Sequence, residues 1–479
     1  MRIINQSAQV LNKAINYLLW GMFFGGLAYL VCYYPNISEW NYRNILRVNG
    51  FTLLIWTVVL FFSALISSYA KKYLRGFKYH TKFSLLSLGF TGSIVVFVMA
   101  NHAVLFVLMW CLMGWGMSQL IGIDSRWAEA RAASKFALGY FTTGSFFLCI
   151  GVFLLAFQTG DFTLSGMLSK LDNLPPYITL LTGLCIISAA IIQSAIYPFH
   201  RWLLSAMTAP TPASALMHAG FVNGSGILLT IFSTVLLASN TLIVLFIIGG
   251  LTAIIAQFTK LLQVNVKQKL ACSTIAQMGF MIMQCGLGFF NAAVVHLILH
   301  GFYKAYLFLS AGEEIGNSKS QRTIHIKIKP FQAVIVLVFG VLGAFMFAYL
   351  TGKGFGLNSG IFLTLIVAIT VGQATYNIVK EKSLSSSQKA FLPPVLFVFG
   401  ILSYTLVYNI VTTLMEGMPL IEVSLPLSWV EVLFGMVFLT GFFIMKLGVY
   451  RKYPALYVKL LNISQPYKKT VLMYKSKSL

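Results

Sequence analysis

The sequence predicts an all-α polytopic membrane protein of about fourteen transmembrane helices. Three observations predict it. The first is composition: 58% of the 479 residues are hydrophobic and 9% are charged, where soluble domains carry roughly 25% charged residues. The second is recurrence: apolar stretches of about 20 residues, the length that crosses a bilayer, follow one another from end to end. The third is the placement of lysine and arginine. With a cytoplasmic N-terminus and fourteen spans, 29 of the 34 basic residues fall on the cytoplasmic side, four (Arg43, Arg47, Lys170 and Lys353) fall opposite, and Lys304 lies within the membrane. That split follows the positive-inside rule and puts both termini in the cytoplasm. The net charge of +23 thus reports orientation, not nucleic-acid binding. Attraction to anionic membrane lipids is its second reading.

The first five spans are expected at 14–33, 51–69, 83–100, 102–123 and 133–157. The sixth segment, 177–207, is longer than one crossing and contains Pro198. It reads as a broken helix followed by a short amphipathic piece, PFHRWLLSAM. Broken helices in membranes line cavities or ion sites, and Gln193 lies about a turn before this break. Pro210 and Pro212 suit the start of the next span, 212–238, because a first-turn proline loses no helical hydrogen bond. Spans then follow at 241–262, 268–289, 291–312, 332–351, 357–379, 391–414 and 427–448. YLTGKGFGLNSG around Lys353 offers a further interruption or an ordinary loop, and SLSSSQK near 383–389 reads as a loop. The connections near 34–50, 70–82, 158–176 and 313–331 are too short to build a soluble core. No cleavable signal peptide is expected, since the first apolar run leads into more of the same. The last thirty residues mix basic and aromatic side chains and either lie along the cytoplasmic interface or bind a partner.

Chemistry concentrates on HLILHGFYKAYLFL. His296, His300 and Lys304 are spaced by four residues and so share one helix face. Ionisable groups in a membrane helix are costly and face a protein interior or a wet path. Two imidazoles and an amine in line suit a proton relay, because a histidine's ordinary pKa is ~6.5. None of the eleven acids falls in mid-span, so a dedicated metal-cation site built from carboxylates is disfavoured. His218 lies about two turns into PTPASALMHAGFVNGSG and serves either the relay or an interhelical hydrogen bond. Asn223 and its small neighbours allow close helix contact or water. Ser273, Gln277 and Gln284 share a face of STIAQMGFMIMQCG, which either hydrates a path or packs. Lys267 and Lys269 flank that helix on the cytoplasmic side. The six cysteines lie in apolar helices with no CxxC pair and read as buried small hydrophobes. There is no P-loop, no GxGxxG in a βαβ context and no iron–sulfur cysteine cluster. A haem would need histidines on opposed helices, and His296 and His300 share one face. No cofactor or metal site is expected in this chain.

PFHRWLLSAMTAPTPASALMHAG, VKQKLACSTIAQMGFM and HLILHGFYKAYLFLSAG resemble the antiporter-like proton-conducting family. That family holds the antiporter-type subunits of respiratory complex I and multisubunit cation/proton antiporters. The resemblance covers roughly 100–315. HAGFVNGSGILL, AQMGFMIMQCGLG and HGFYKAYLFLSAG are similar, within it, to the membrane subunit of the DAB inorganic-carbon accumulation system (DabB-like). The resemblance implies an antiporter-like fold in three parts: N-terminal transmembrane helices at 1–100, a proton-conducting core at 101–415, and a last helix with a basic cytoplasmic tail at 416–479. It implies that His218, Lys267, His296, His300 and Lys304 match polar positions of the channel, with Gln193 and Gln277 beside them. It implies a transport subunit in the cell membrane, not itself an enzyme. Its expected partner is a large cytoplasmic DabA-like protein that carries the zinc and hydrates CO2. Two departures stand out. Many family members carry glutamate where this chain has Cys111 and lysine where it has Gln193. That pair is central to the family's proposed pumping, so passive conduction through the histidine face fits this chain better. A complex I proton-pumping subunit and a cation/proton antiporter subunit are the alternatives, and Na+ is the alternative to the proton as the conducted ion.

Overall fold

The computed structural model describes residues 2–311, 330–352, 358–365, 385–447 and 453–471, with Gly356, Val367, Val371 and Thr375. Most of the span expected at 357–379, the connection 313–331 and Lys353 lie outside the described residues. Backbone polar groups in hydrocarbon must be satisfied within the chain, so helices dominate. They run α1 (Arg2–Tyr33), α2 (Gly50–Tyr73), α3 (His80–Met99), α4 (Ala103–Ile121), α5 (Ala128–Thr159), short α6 (Leu164–Ser169) and α7 (Pro176–Gln193). Then come α8 (Arg201–Ser205), α9 (Thr211–Ala219), α10 (Gly224–Ile231), α11 (Ser233–Ala238), α12 (Leu242–Leu262), α13 (Val266–Gly286) and α14 (Phe290–Leu309). The series closes with α15 (Pro330–Thr351), α16 (Ser386–Leu414), α17 (Trp429–Leu447) and α18 (Pro454–Ile463). A two-stranded hairpin, β1 (Trp40–Tyr42) with antiparallel β2 (Leu46–Val48), joins α1 to α2. Its tip residues Arg43 and Asn44 have φ of 49° and 58°, and Arg47 pairs with Glu39 at 2.6 Å.

Among the described residues, ten helices are long and apolar enough to cross a membrane, Thr211–Ile231 counting as one. The expected spans other than 357–379, most of which lies outside the described residues, have their helices here, with three differences of detail. α13 has the length of a span but a polar first turn, with Lys267 and Lys269. The described apolar stretches of α15 and α17 are short, Val338–Thr351 and Trp429–Phe438. The span expected as one helix over 212–238 is in three pieces, interrupted at Gly220–Asn223 and again at Phe232. Local rules set the ends. Asn49 caps α2 by accepting from the Thr52 amide, and Asn265 caps α13 by accepting from the Lys267 and Gln268 amides. Pro176 opens α7, and α5 stops at left-handed Gly160.

One continuous core runs through α2–α5, α7 and α9–α14. α12 and α13 approach most closely where both carry glycine: a Cβ on Gly249 would lie 2.6 Å from the Gly279 carbonyl oxygen. Small residues permit that contact and are the common helix–helix device in membranes. At its other flank, α1 is tied to α2 by Asn16, which donates to Ser68 Oγ at 2.8 Å and accepts from Lys71 Nζ at 2.6 Å.

Candidate functional site

α14 carries the column that the four-residue spacing predicts. The rings of His296 and His300 lie nearly parallel, 6.1 Å between centroids at 15°. Lys304, one turn on, is fully buried, and its Nζ donates to the Leu270 carbonyl of α13 at 3.3 Å. α9 packs on α14 and brings His218 to this end. His218 is fully buried, and its ring stacks on Phe308 at 4.3 Å and 16°. Lys267 reaches the same end, its Nζ donating to the Ala209 carbonyl just before α9. Phe280 of α13 meets the edge of His296 at 5.2 Å. The order is therefore Lys267, His218, Lys304, His300, His296. It runs from the lysine-rich ends of α12 and α13 toward the opposite side.

The polar atoms of this line state its chemistry. Both ring nitrogens of His218 and His300, Nε2 of His296, Oδ1 of Asn223 and Oε1 of Gln284 are buried without a protein hydrogen-bond partner. Each such group costs about 1–3 kcal/mol if it stays unpaired. Buried polar atoms in this number are normally satisfied by ordered water. No direct hydrogen bond joins the rings.

The breaks lie beside the line. α7 ends at Gln193, the chain turns through left-handed Ala195 (φ 55°), and the Tyr197–Pro198 peptide is cis. Short α8 follows, as the sequence predicts. The Ile192 carbonyl freed there accepts from the Trp202 indole at 2.9 Å. The second break, at Gly220, is the one that sequence periodicity conceals. Its exposed carbonyls are met from α7: Gln193 Nε2 donates to Phe221 O at 3.3 Å and Ser194 Oγ to Val222 O at 2.7 Å. Ser194 and Ser225 hydroxyls also pair. Asn223 bridges the break to α14 by donating to Ala219 O at 2.9 Å and Leu297 O at 3.2 Å.

The remaining expected residues fall as follows. Lys267 is half-buried, and its Nζ donates to the Ala209 carbonyl at 2.8 Å, just before α9. It is thus more than a flanking charge. Gln193 is buried as a carbonyl cap. Gln277 is half-buried and makes no hydrogen bond to His218 or His300, whereas Ser273 and Gln284 on its face are buried. Cys111 is exposed on α4, and Cys32 and Cys149 are not buried either, against the expectation of uniformly buried cysteines. Outside the line, Asn291 at the start of α14 donates to Glu422 Oε2 at 2.9 Å and Tyr408 OH at 3.0 Å, and Tyr408 donates to the same carboxylate oxygen at 2.9 Å. This cluster sews the connection after α16 onto the end of α14 opposite the lysines. Among the described residues no group of three or more His, Cys, Asp or Glu side chains is placed to hold a metal.

The family described as NADH:quinone oxidoreductase/Mrp antiporter, transmembrane region, matches residues 100–379. A probable inorganic carbon transporter subunit DabB of Bacillus anthracis is 35% identical over 318 residues, 65% of this chain and 62% of that protein. The protein of the same name from Bacillus subtilis (strain 168) is 33% identical over 347 residues, 71% of this chain and 66% of its own. NADH-ubiquinone oxidoreductase chain 5 of Podospora anserina is 32% identical over 287 residues, 58% of this chain and 43% of that one. The matched stretch thus spans less than two thirds of these relatives' own length. Among solved structures, a chain of the Mrp complex from Dietzia sp. DQ12-45-1b superposes with a TM-score of 0.66 at 22% identity, covering 94% of this chain and 55% of that chain. The fold is shared and the histidine–lysine column lies inside the matched region: the chain belongs to the NADH:quinone oxidoreductase/Mrp antiporter transmembrane family.

Proposed function

We propose that the chain is the proton-conducting membrane subunit of an energy-coupled inorganic-carbon accumulation system. Its lysine-rich side faces the cytoplasm. There it meets a zinc-binding, carbonic-anhydrase-like partner that converts CO2 to bicarbonate. The observation that carries the reading is the line His218, Lys304, His300 and half-buried His296, in which both ring nitrogens of His218 and His300 and Nε2 of His296 are buried without protein partners. Protons step along it through water, with the charge of Lys304 tuning the rings on either side of it. The chain supplies the path; zinc chemistry belongs to the partner. Its similarity to two DabB subunits supports the choice among carriers. The neutral residues at Cys111 and Gln193 favour conduction over pumping.

His300→Ala is the test. It should abolish energy-dependent bicarbonate uptake while the complex still assembles. Full uptake at ambient CO2 would remove the relay. Co-purification separates the alternatives: a zinc-containing soluble protein supports this reading, flavin and iron–sulfur subunits support a respiratory complex, and conduction without any partner supports an antiporter.

A further inference from the structure

A cavity of about 210 Å³ opens where the titratable line meets the lysine-rich side. Ser205, Thr208, Asn265, Lys267, Gln268 and Thr470 line it, with Trp127 and Glu129 at its edge. At ~30 Å³ per water it holds several. Lys267 links the cavity to the line: it lines the cavity, and its Nζ holds the Ala209 carbonyl from which α9 descends to His218.

One wall of this cavity is a segment that follows α18. The Tyr467 amide donates to Ser205 Oγ at 3.1 Å, and the Thr470 hydroxyl donates to the same oxygen at 3.0 Å. The Tyr467 ring stacks on Phe136 of α5 at 4.4 Å and 7°. Upstream, His200 Nε2 bonds the Ile463 carbonyl at 2.8 Å. These contacts are few and neutral in character, and Lys468 and Lys469 are exposed. Releasing this segment gives up one ring stack on α5 and these hydrogen bonds.

We infer that the cavity is the mouth of the proton path on the lysine-rich side, and that the segment 464–471 is its lid. The inference rests on the conduction reading. Its placement predicts that access of water to Lys267, and hence flux, depends on whether Ser205 holds the lid.

The test is a reversible lock. Ser205→Cys with Thr470→Cys is made in the full chain with exposed Cys32 and Cys111 and half-buried Cys149 replaced by serine, and reconstituted in vesicles. Oxidation should slow proton flux by about 10-fold or more, and reduction should restore it. Equal flux in the bridged and reduced protein overturns the lid. A labelling measurement needs no flux. Thr208→Cys should react with a water-soluble maleimide about 10-fold faster when Tyr467→Ala is added, and an unchanged labelling rate also overturns the lid. Loss of the conduction reading would show in His300→Ala, which leaves the labelling result untouched.

Discussion

His218→Phe separates a wet relay from a dry core. The site is fully buried and its ring lies 4.3 Å from Phe308 at 16°, so phenylalanine keeps the stack. It deletes two nitrogens that have no protein partner. If those nitrogens are dry, each costs about 1–3 kcal/mol, and their removal should stabilise the fold by roughly 2–6 kcal/mol. Against this stands the extra ring volume, about 1–3 kcal/mol if the pocket does not yield. If the nitrogens are watered, stability changes little. A positioned proton carrier contributes about 10²-fold or more, or about 2.7 kcal/mol of barrier at two decades. We expect the wet outcome: an assembled protein of near-wild-type melting temperature with flux reduced at least about 100-fold. The assay is proton uptake into vesicles under an imposed potential, read by a pH-sensitive dye, beside a thermal melt in detergent. Flux within twofold of wild type would refute the reasoning, and with a raised melting temperature it would mark His218 as a dry histidine.

Two further outcomes follow from other parts of the fold. Gln193→Leu removes the side-chain donor at 3.3 Å from the Phe221 carbonyl, which keeps the Gly224 amide, at about 0.5–1.5 kcal/mol; the melting temperature should fall slightly while flux per folded molecule holds, and the reverse pattern would place Gln193 on the path. Asp161, in the connection after α5, accepts from the Thr163 amide at 2.9 Å and hydroxyl at 2.8 Å, and these bonds, with Lys170, hold its carboxyl below the usual carboxylate range. A depressed folded pKa means the stabilisation is present above the unfolded value near 3.8 and is lost as pH falls through the folded one. Wild-type melting temperature should therefore drop below about pH 4, and Asp161→Asn should flatten that drop; identical acid slopes would show that Asp161 contributes nothing.

What could be read from the chain was whatever lipid or helical periodicity enforces. The spans were legible because hydrocarbon leaves the backbone few options. The α14 column was legible because four-residue spacing fixes a face. The break at Gly220 was not: a single glycine in an apolar run is tolerated in a helix, and what stabilises the opening comes from Gln193 and Ser194, each 28 residues away. Lys267 read as a flanking charge because its acceptor, Ala209, is 58 residues distant. The Asn291–Glu422 contact spans 131 residues and joins a helix start to a connection, a pairing no local pattern announces. The lid has the same character, since Thr470 meets Ser205 across 265 residues.

The two departures from the family acquire separate meanings in three dimensions. Gln193 occupies a buried position against the Gly220 break, where its amide satisfies a carbonyl. A lysine there would bury an ammonium against this break, at the cost that burying an uncompensated charge carries. Cys111 is exposed on α4, so a carboxylate at that position would stand on the outer face of the chain and act on a neighbour rather than on the buried line. On the proposed reading, neutral residues at both positions leave the imidazole line in place without that charged pair. That is the basis on which we propose conduction down the gradient rather than pumping. The proposed reading then requires the work to be captured at the lysine-rich mouth, which is why flux in vesicles and co-purification of a soluble zinc protein test it together.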